Sequence, residues 1–235
     1  GRVMASSSCI ITIDGPAGTG KSTVARLLAD RLGMDCLDTG SLYRAVSVLA
    51  LETGTDPEDG PALATLARDV DLRFDWTQDP PAMYIGDRDV SSRIRDLDVS
   101  SVVSPVARQP ELRSVLNEVQ RTVAKRRPRL VTEGRDQGSV VFPDADVRFF
   151  LDAEEEIRTQ RRSLQMARRG DKVDDDAIRT DIRRRDEIDR SRATAPLVQP
   201  EGSILVDSTH LTLEEVVDCM ADHVERIMHT TQGES

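Results

Sequence analysis

The stretch CIITIDGPAGTGKS, residues 9–22, decides the fold of this chain. Its first six residues form a mostly apolar run rich in β-branched side chains, which is typical of a buried parallel strand. Its last eight residues match the spacing G-x-x-x-x-G-K-S, and apolar residues at helical spacing follow them. A strand, a glycine-rich loop and a helix in this order predict a cradle for phosphate groups, because the loop directs backbone N–H groups at an anion.

The loop carries the two side chains that a bound nucleotide needs. Lys21 supplies a positive charge to the terminal phosphates, and the Ser22 hydroxyl is a ligand for Mg²⁺, which phosphates and water would also hold. A glycine-rich turn that binds nothing is the alternative, and a lysine and a serine after the correct strand argue against it. The residues predicted to bind the nucleoside triphosphate are Gly15, Pro16, Ala17, Gly18, Thr19, Gly20, Lys21, Ser22 and Thr23.

Apolar runs and amphipathic segments alternate along most of the chain. Further strands are predicted at 34–40, 129–134, 147–153 and 203–207. Helical patterns are found at 21–33, 41–54, 109–127, 154–170, 174–192 and 212–228. This order predicts an α/β fold, namely a P-loop NTPase core whose parallel β-sheet is flanked by helices and binds ligands at the carboxyl ends of its strands.

Residues 55–95 interrupt this alternation. Their short alternating segments, separated by Pro-Pro and Gly-Asp turns, predict a small antiparallel sheet and hence an insertion in the core. The predicted division is a core of residues 9–54 and 96–229 with a short helical lid at about 158–192, the insertion at 55–95, and tails at 1–8 and 230–235.

Charge and composition narrow the function classes. With 32 basic and 42 acidic side chains the formal net charge is −10, which disfavours general binding of duplex nucleic acid but allows a local cluster of arginines for a small anion. No apolar run approaches the roughly 20 residues that span a bilayer, and the first residues lack the pattern of a signal peptide. Three widely spaced cysteines give neither a disulfide framework nor metal-ligand spacing. We therefore expect a cytoplasmic protein with no nucleic-acid or membrane partner.

Two classes of P-loop protein compete at this point. One is a phosphotransferase with a small-molecule acceptor, and the other is a switch or mechanical NTPase that acts on a macromolecular partner. The chain contains no guanine-reading N-K-x-D segment and no L-S-G-G-Q-like signature. Its many arginines after strands and on late helices favour a kinase, because phosphoryl transfer depends on positioning and charge neutralisation.

Two further motifs follow predicted strands. In LDTGSLYRAV (37–46), Thr39 offers a hydroxyl and Arg44 a planar cation, both suited to a phosphate. In TEGRDQGSVVFPDA (132–145), the strand delivers Arg135 and Asp136 into a loop at the ligand edge of the sheet. A surface position for Arg44 and a merely local Arg135–Asp136 salt bridge are the alternatives.

The fourth motif is RRRDEIDRSRATAPL, residues 183–197. On a helix, Arg185, Asp189 and Arg192 share one face, which predicts a contact with the site, although pairs within the helix could also explain the spacing. Pro196 is predicted to end this helix. The other charged residues of the stretch are expected to be surface or lid charges that meet only water, namely Arg183, Arg184, Asp186, Glu187 and Arg190.

Together, IDGPAGTGKST, LDTGSLYRA, EGRDQGSVVFPDA and RDEIDRSRATAPL resemble the bacterial cytidylate kinases, which phosphorylate CMP and dCMP with ATP. The segment GDRDVSSRIR (86–95) resembles the extra segment in that family's insertion for binding nucleoside monophosphate, and the likeness runs from about residue 10 to residue 227. GRDQG departs from the commoner pattern, in which the residue after the aspartate is aliphatic.

The resemblance implies roles for residues along the chain. Thr39, Arg44 and Arg135 would hold the acceptor phosphate, and Ser104, Arg113 and Asp136 would read the cytosine. Arg185 and Asp189 would face the ribose hydroxyls, and Arg192 the phosphate or the base. Of the arginines near the start of the lid, Arg158, Arg161 and Arg162, Arg161 is the one expected at the ATP phosphates. The expected catalytic residues are Lys21, Arg135, Arg161 and Arg192.

The expected reaction is Mg²⁺-dependent phosphorylation of CMP and dCMP by ATP in a monomeric enzyme. Two alternatives stay open: another P-loop small-molecule kinase, such as a UMP/CMP kinase, and an NTP-binding regulatory protein.

Overall fold

The computed structural model describes residues 8–233, which form two β-sheets and eight α-helices. The strands are β1 (Cys9–Asp14), β2 (Asp35–Asp38), β3 (Leu72–Asp75), β4 (Ala82–Ile85), β5 (Arg88–Asp89), β6 (Arg129–Gly134), β7 (Val147–Asp152) and β8 (Ile204–Asp207). The helices are α1 (Lys21–Leu32), α2 (Thr39–Thr53), α3 (Gly60–Arg68), α4 (Leu97–Ala107), α5 (Pro110–Arg126), α6 (Glu155–Arg168), α7 (Asp175–Ser191) and α8 (Leu213–Gln232).

The larger sheet is parallel, as the alternation of strands and helices predicted. Its five strands stand in the order β2-β6-β1-β7-β8. Asp14 at the end of β1 pairs with Gly134 of β6, and Asp38 at the end of β2 pairs with Glu133. The carboxyl ends of these strands therefore meet at one edge, where the phosphate loop begins and where such sheets bind ligands.

Helices cover both faces of this sheet. On one face, Val24 and Leu28 of α1 pack with Val216 and Met220 of α8 in a buried apolar cluster. On the other face, α2 and α5 contribute to a second cluster, which includes Leu130 of β6. Burial of these apolar stripes is the main favourable term for both layers.

The antiparallel sheet predicted between residues 55 and 95 is present. It has the order β3-β4-β5, with Phe74 opposite Met83. Both side chains belong to the same cluster as Leu130 of the central sheet, so this part of the insertion packs on α2 and α5. The division of the chain into core, insertion and lid stays a prediction.

Local signals placed most helix ends correctly. Gly33 ends α1 in the left-handed conformation, with φ of 64°, and Thr212 and Glu215 form the capping box of α8. The start of α2 was misplaced by two residues, because the Asp38 side chain accepts from Ser41 N and caps the helix at Thr39.

The helical structure departs from the sequence prediction at three places. Helix α7 ends at Ser191, since Arg192 already has extended backbone angles, so Pro196 does not end it. Helix α4 was not predicted, and its internal Pro105 weakens the helical pattern. The loop after Asp136 is a π-helical turn over Gln137–Val141. Within residues 8–233, no helix combines the length and the apolar character needed to cross a membrane.

Candidate active site

A cavity of about 1240 Å³ runs along the carboxyl edge of the central sheet. The phosphate loop lines one part of it, and the first turn of α2, the insertion, α5, α6 and α7 line the rest. Of the sequence-predicted residues, the cavity wall includes Lys21, Ser22, Thr39, Arg44, Ser104, Arg113, Arg135, Asp136, Arg161, Arg185, Asp189 and Arg192. The structure thus brings together residues that lie up to about 170 positions apart in sequence.

The phosphate loop depends on glycines at positions with positive φ. A Cβ on Gly15 would meet Leu151 O at 2.0 Å, and one on Gly18 would meet Arg158 O at 2.8 Å. The Lys21 ammonium donates to Pro16 O at 2.9 Å, so the lysine folds back over the loop. Burial, with the charge of Arg135, lowers the pKa of Lys21 to about 8. A bound polyphosphate would favour its charged form.

Two arginines of α6 contact this loop. Arg158 Nη1 donates to Ala17 O at 3.2 Å and to Asp186 Oδ2 of α7 at 2.5 Å. Arg161 donates to Thr19 O at 3.0 Å and to Ser208 O at 2.8 Å. The expectation that Asp186 is a solvated surface charge was wrong, because its side chain is only 13% exposed. A direct contact between Arg161 and ATP phosphates stays a prediction.

Mutually repelling arginines line the centre of the cavity. Burial and the charge of Arg185 lower the pKa of Arg44 to about 9, and burial and the charge of Arg135 lower that of Arg185 to about 10. Arg162 lies in the same cavity wall. Arginine nevertheless stays protonated at neutral pH, so this wall carries an excess of positive charge that an anion would neutralise.

Three charged residues of the stretch 183–197 are buried, although only part of the stretch is helical. Arg185, Asp189 and Arg192 are at most 8% exposed. Asp189 forms ion pairs with Arg135 and, at 3.3 Å, with Arg192. Arg192 Nε also donates to Ala195 O at 2.6 Å, so Arg192 joins the site from the chain beyond α7 rather than from its helical face.

A buried ion pair marks the wall formed by α5 and the loop after β6. Arg113 Nη2 lies 2.5 Å from Asp136 Oδ2, and both side chains are 3% exposed. Arg113 also donates to Ala107 O at 2.7 Å, and its guanidinium lies 5.2 Å from the ring centre of Tyr43. Ser104 is buried in the same cavity wall. A carboxylate, a guanidinium and a hydroxyl in one cavity wall can recognise a planar ligand that both donates and accepts hydrogen bonds.

Carboxyl groups and a threonine hydroxyl lie where β2 and β6 end. The Thr39 hydroxyl donates to Glu133 O at 2.7 Å. Asp38 forms an ion pair with Arg95 at 3.1 Å, and its side chain is hydrogen-bonded to the Glu133 carboxyl. Burial and the neighbouring Asp38 raise the pKa of Glu133 well above its usual range. Burial and the Arg95 guanidinium act in opposite directions on Asp38, and the result holds its pKa below the usual range.

Sequence reasoning did not place Arg95, Glu133 or Arg162 in the site. Glu133 directly precedes the GRD motif, and Arg95 ends the segment 86–95. Both residues lie within motifs that had already been singled out, and this was the signal that could have placed them in the site. Nothing in the local sequence separates Arg162 from its exposed neighbours on α6.

Comparison with known proteins gives consistent results. A family model for cytidylate kinase matches residues 11–226. The cytidylate kinase of Enterobacter sp. strain 638 is 41% identical over 92% of this chain and 94% of its own length. The cytidylate kinase of Mycolicibacterium paratuberculosis is 40% identical over 94% of this chain and 97% of its own length.

A solved structure supports the fold independently. The gluconokinase of Sinorhizobium meliloti covers 97% of this chain and 98% of its own, with a TM-score of 0.50 and 17% identity. At that identity the likeness concerns the fold alone, and it confirms the predicted core with a parallel sheet between helices.

Proposed function

The chain belongs to the cytidylate kinase family, as its four motifs predicted, and from this premise we propose that it transfers the γ-phosphoryl group of ATP to CMP and dCMP. The observation that carries the proposal is the buried Arg113–Asp136 pair, at 2.5 Å, in the wall of the cavity that also holds the phosphate loop. Neither the UMP/CMP kinase nor the regulatory protein is favoured by the relatives.

The Arg113–Asp136 pair and Ser104 suit cytosine. Cytosine has an amino donor at N4 and acceptors at N3 and O2. Asp136 accepts from the N4 amino group, while Arg113 and Ser104 donate to the acceptor atoms. Uracil has a carbonyl oxygen at position 4, which a carboxylate repels, so the pair would discriminate against UMP.

The arginines at the centre of the cavity suit the acceptor phosphate. A dianion next to a triphosphate experiences strong repulsion, which Arg44, Arg135 and Arg192 would offset. The Thr39 hydroxyl, which donates to Glu133 O, can donate to a phosphate oxygen instead when the phosphate binds. Arg185 and Asp189 would hold the ribose hydroxyls.

Transfer itself needs little proton chemistry. The acceptor phosphate is already ionised, so it can attack the γ-phosphorus without a strong general base. Lys21, Arg135, Arg161 and Arg192 would keep the reacting groups in line and neutralise the charge of the transition state. Closure of the lid would exclude water and so limit hydrolysis of ATP.

The residues present fit a magnesium ion. Mg²⁺ prefers oxygen ligands and retains several waters. Ser22, Asp38 and Glu133 line the same cavity, and the close Asp38–Glu133 carboxyl pair is an arrangement that a divalent cation would stabilise. Ser22 and the phosphates would hold the ion, and the two carboxyl groups would order its waters. When bound, the ion would neutralise charge on the phosphates.

Our proposal takes the enzyme to be a cytoplasmic monomer. All three cysteines are free thiols, which suits a reducing compartment. Size-exclusion chromatography with light scattering would check the monomer.

An assay of ADP release tests the proposal. The purified protein is supplied with ATP, Mg²⁺ and, separately, CMP, dCMP, UMP, AMP and shikimate. We expect turnover with CMP and dCMP and much less with the others. No turnover with CMP or dCMP would sink the proposal. ATP hydrolysis stimulated by a protein or nucleic acid, and by no monophosphate, would support the regulatory alternative.

A further inference from the structure

We propose that Gln137 is a positioning residue that fixes the carboxylate of Asp136 in the orientation that selects cytosine over uracil. This inference rests on the proposed function, since it assigns selectivity to the same base-reading wall. Gln137 is fully buried and directly follows Asp136. It was not among the residues that the sequence motifs assigned to the site.

Three hydrogen bonds hold the side-chain amide of Gln137. Its Nε2 donates to Asp136 Oδ1 at 3.0 Å and to Gln120 Oε1 at 3.0 Å, and its Oε1 accepts from the Thr132 hydroxyl at 2.8 Å. Thr132 and Gln120 are fully buried as well. Both amide hydrogens and the amide oxygen therefore have partners, and no water is needed to complete the set.

The chemistry of the partners fixes which end of the amide faces Asp136. The carboxylate of Asp136 is paired with Arg113 at 2.5 Å, and a carboxylate can only accept. The amide nitrogen must therefore face it, which leaves the oxygen for the Thr132 hydroxyl. A flipped amide would set two acceptors against each other in a buried site, which is costly.

The backbone of Gln137 is anchored too. The N–H of Gln137 donates to Asp14 Oδ1 at 2.8 Å, and the N–H of Gly138 donates to Asp14 Oδ2 at 2.8 Å. A Cβ on Gly138 would meet the Thr12 hydroxyl at 2.9 Å, so this turn packs tightly on β1. Main chain and side chain of Gln137 are thus both fixed against the strand that precedes the phosphate loop.

These contacts restrain Asp136 from two sides. Arg113 contacts Oδ2, and Gln137 contacts Oδ1. A carboxylate with a donor at each oxygen cannot rotate about its terminal bond without losing one of them. Each oxygen still has acceptor capacity for a substrate amino group. Arg113 alone would leave the plane of the carboxylate free to adjust to a base that lacks the amino group.

The test compares Gln137→Met with a matched control, Gln120→Met. The first substitution keeps the length of the side chain and removes the donor to Asp136. The second removes the partner on α5 and leaves the Gln137–Asp136 bond in place. For Gln137→Met we expect the ratio of kcat/KM for CMP to that for UMP to fall about tenfold, because a hydrogen bond to a charged group is lost. The fall should come from a raised KM for CMP, with kcat and KM for ATP little changed.

Gln120→Met should lower the melting temperature about as much as Gln137→Met while keeping the wild-type ratio. An unchanged ratio in Gln137→Met, with CMP turnover intact, overturns the inference. So does an equal fall in Gln120→Met, which would indicate general disruption of the network. Absence of CMP turnover in the unaltered protein would instead refute the proposed function, and this inference with it.

Thr132→Val provides a second variant if Gln137→Met shows no cooperative melting. It removes the donor that orients the amide and adds nothing beside Asp136. We expect the CMP/UMP ratio to fall about threefold, since the amide then has no partner at its oxygen. A wild-type ratio in a folded Thr132→Val protein would contradict the positioning role.

Discussion

The phosphate loop and the proposed base-reading wall are built in different ways. The loop is one continuous segment, residues 15–22, whose backbone N–H groups and single lysine suit any polyphosphate. The base-reading wall combines Ser104 of α4, Arg113 of α5 and Asp136 after β6, all as buried side chains. A site formed by one continuous segment can be recognised in the sequence, whereas a site of dispersed side chains forms only when the chain folds.

The two regions also differ in how their charge is compensated. Lys21 contacts a carbonyl oxygen and has no carboxylate within ion-pair distance among the described residues. Arg113 is neutralised by Asp136 within the protein. The loop therefore depends on its ligand for charge balance, while the base-reading wall is balanced before ligand binds. Substitutions should accordingly change rate in the first region and selectivity in the second.

Lys21→Ala should have the largest effect. Removal of the lysine cation that the phosphate loop supplies should lower kcat by about 100- to 1000-fold, as for loss of a single charge-stabilising donor in other active sites. The loss should be equal for CMP and UMP, because the lysine does not face the base. Steady-state assays with each acceptor measure it.

Lys125→Ala, in an exposed part of α5, is the matched control and should behave like wild type. A changed CMP/UMP ratio in Lys21→Ala would contradict the assignment of rate to the phosphate loop and of selectivity to the base-reading wall.

Asp136→Asn should produce the next largest effect, and it should change selectivity where Lys21→Ala changes rate. The amide retains an acceptor for Arg113, and its nitrogen can donate to the O4 carbonyl of uracil. The ratio of kcat/KM for CMP to that for UMP should fall about 100-fold, because a substrate amino group loses its charged acceptor. Competition assays with both nucleotides measure this ratio directly.

Asp144→Asn changes an exposed carboxylate of the same motif and should leave the ratio unchanged. Equal loss of turnover with CMP and UMP in Asp136→Asn would show that Asp136 serves the fold or the rate instead of base choice.

The difference between the two regions also explains what the sequence could predict. The strand, loop and helix of residues 9–32 follow from local patterns, and the parallel sheet follows from their repetition. Arg113 and Ser104 have no local signature, and only resemblance to a family pointed to them. Arg162 and the bonds of Gln137 depend on α6, α5 and the π-helical turn meeting in space. In the sequence, Asp186 looks the same as a surface charge, and it is largely buried only because α6 packs on α7.

The junction of the two regions can be tested by pH, because Asp14 lies between them. Burial, together with the charge of Asp136, raises the pKa of Asp14 to about 6, although N–H donors from Gly138 and Gln137 act in the opposite direction. The folded protein thus binds this proton more tightly than the unfolded chain does. The stability from this group is complete below pH 4 and is lost as the pH rises through 6.

Urea unfolding of the wild type and of Asp14→Asn, at pH 4 and at pH 7, isolates this contribution. Relative to the variant, the wild type should lose roughly 2 kcal/mol of unfolding free energy between the two pH values. The exposed Asp144→Asn should show no such difference. If the difference in unfolding free energy between wild type and Asp14→Asn were the same at both pH values, Asp14 would be ionised at both. Its N–H bonds would then outweigh its burial.

Asp186→Asn should have the smallest effect, confined to the phosphate loop. Asp186 contacts Arg158, which also donates to Ala17 O of the loop, and these side chains are 13% and 9% exposed. Asparagine keeps an acceptor but removes the charge, so α6 should hold the loop less firmly. We expect KM for ATP to rise about threefold to fivefold, as for loss of a partly buried ion pair, with an unchanged CMP/UMP ratio.

Asp176→Asn, which changes an exposed carboxylate at the start of α7, is the control and should match the wild type. A changed CMP/UMP ratio in Asp186→Asn would show that the lid acts on base choice as well, and the two regions would then have to be treated as one coupled site.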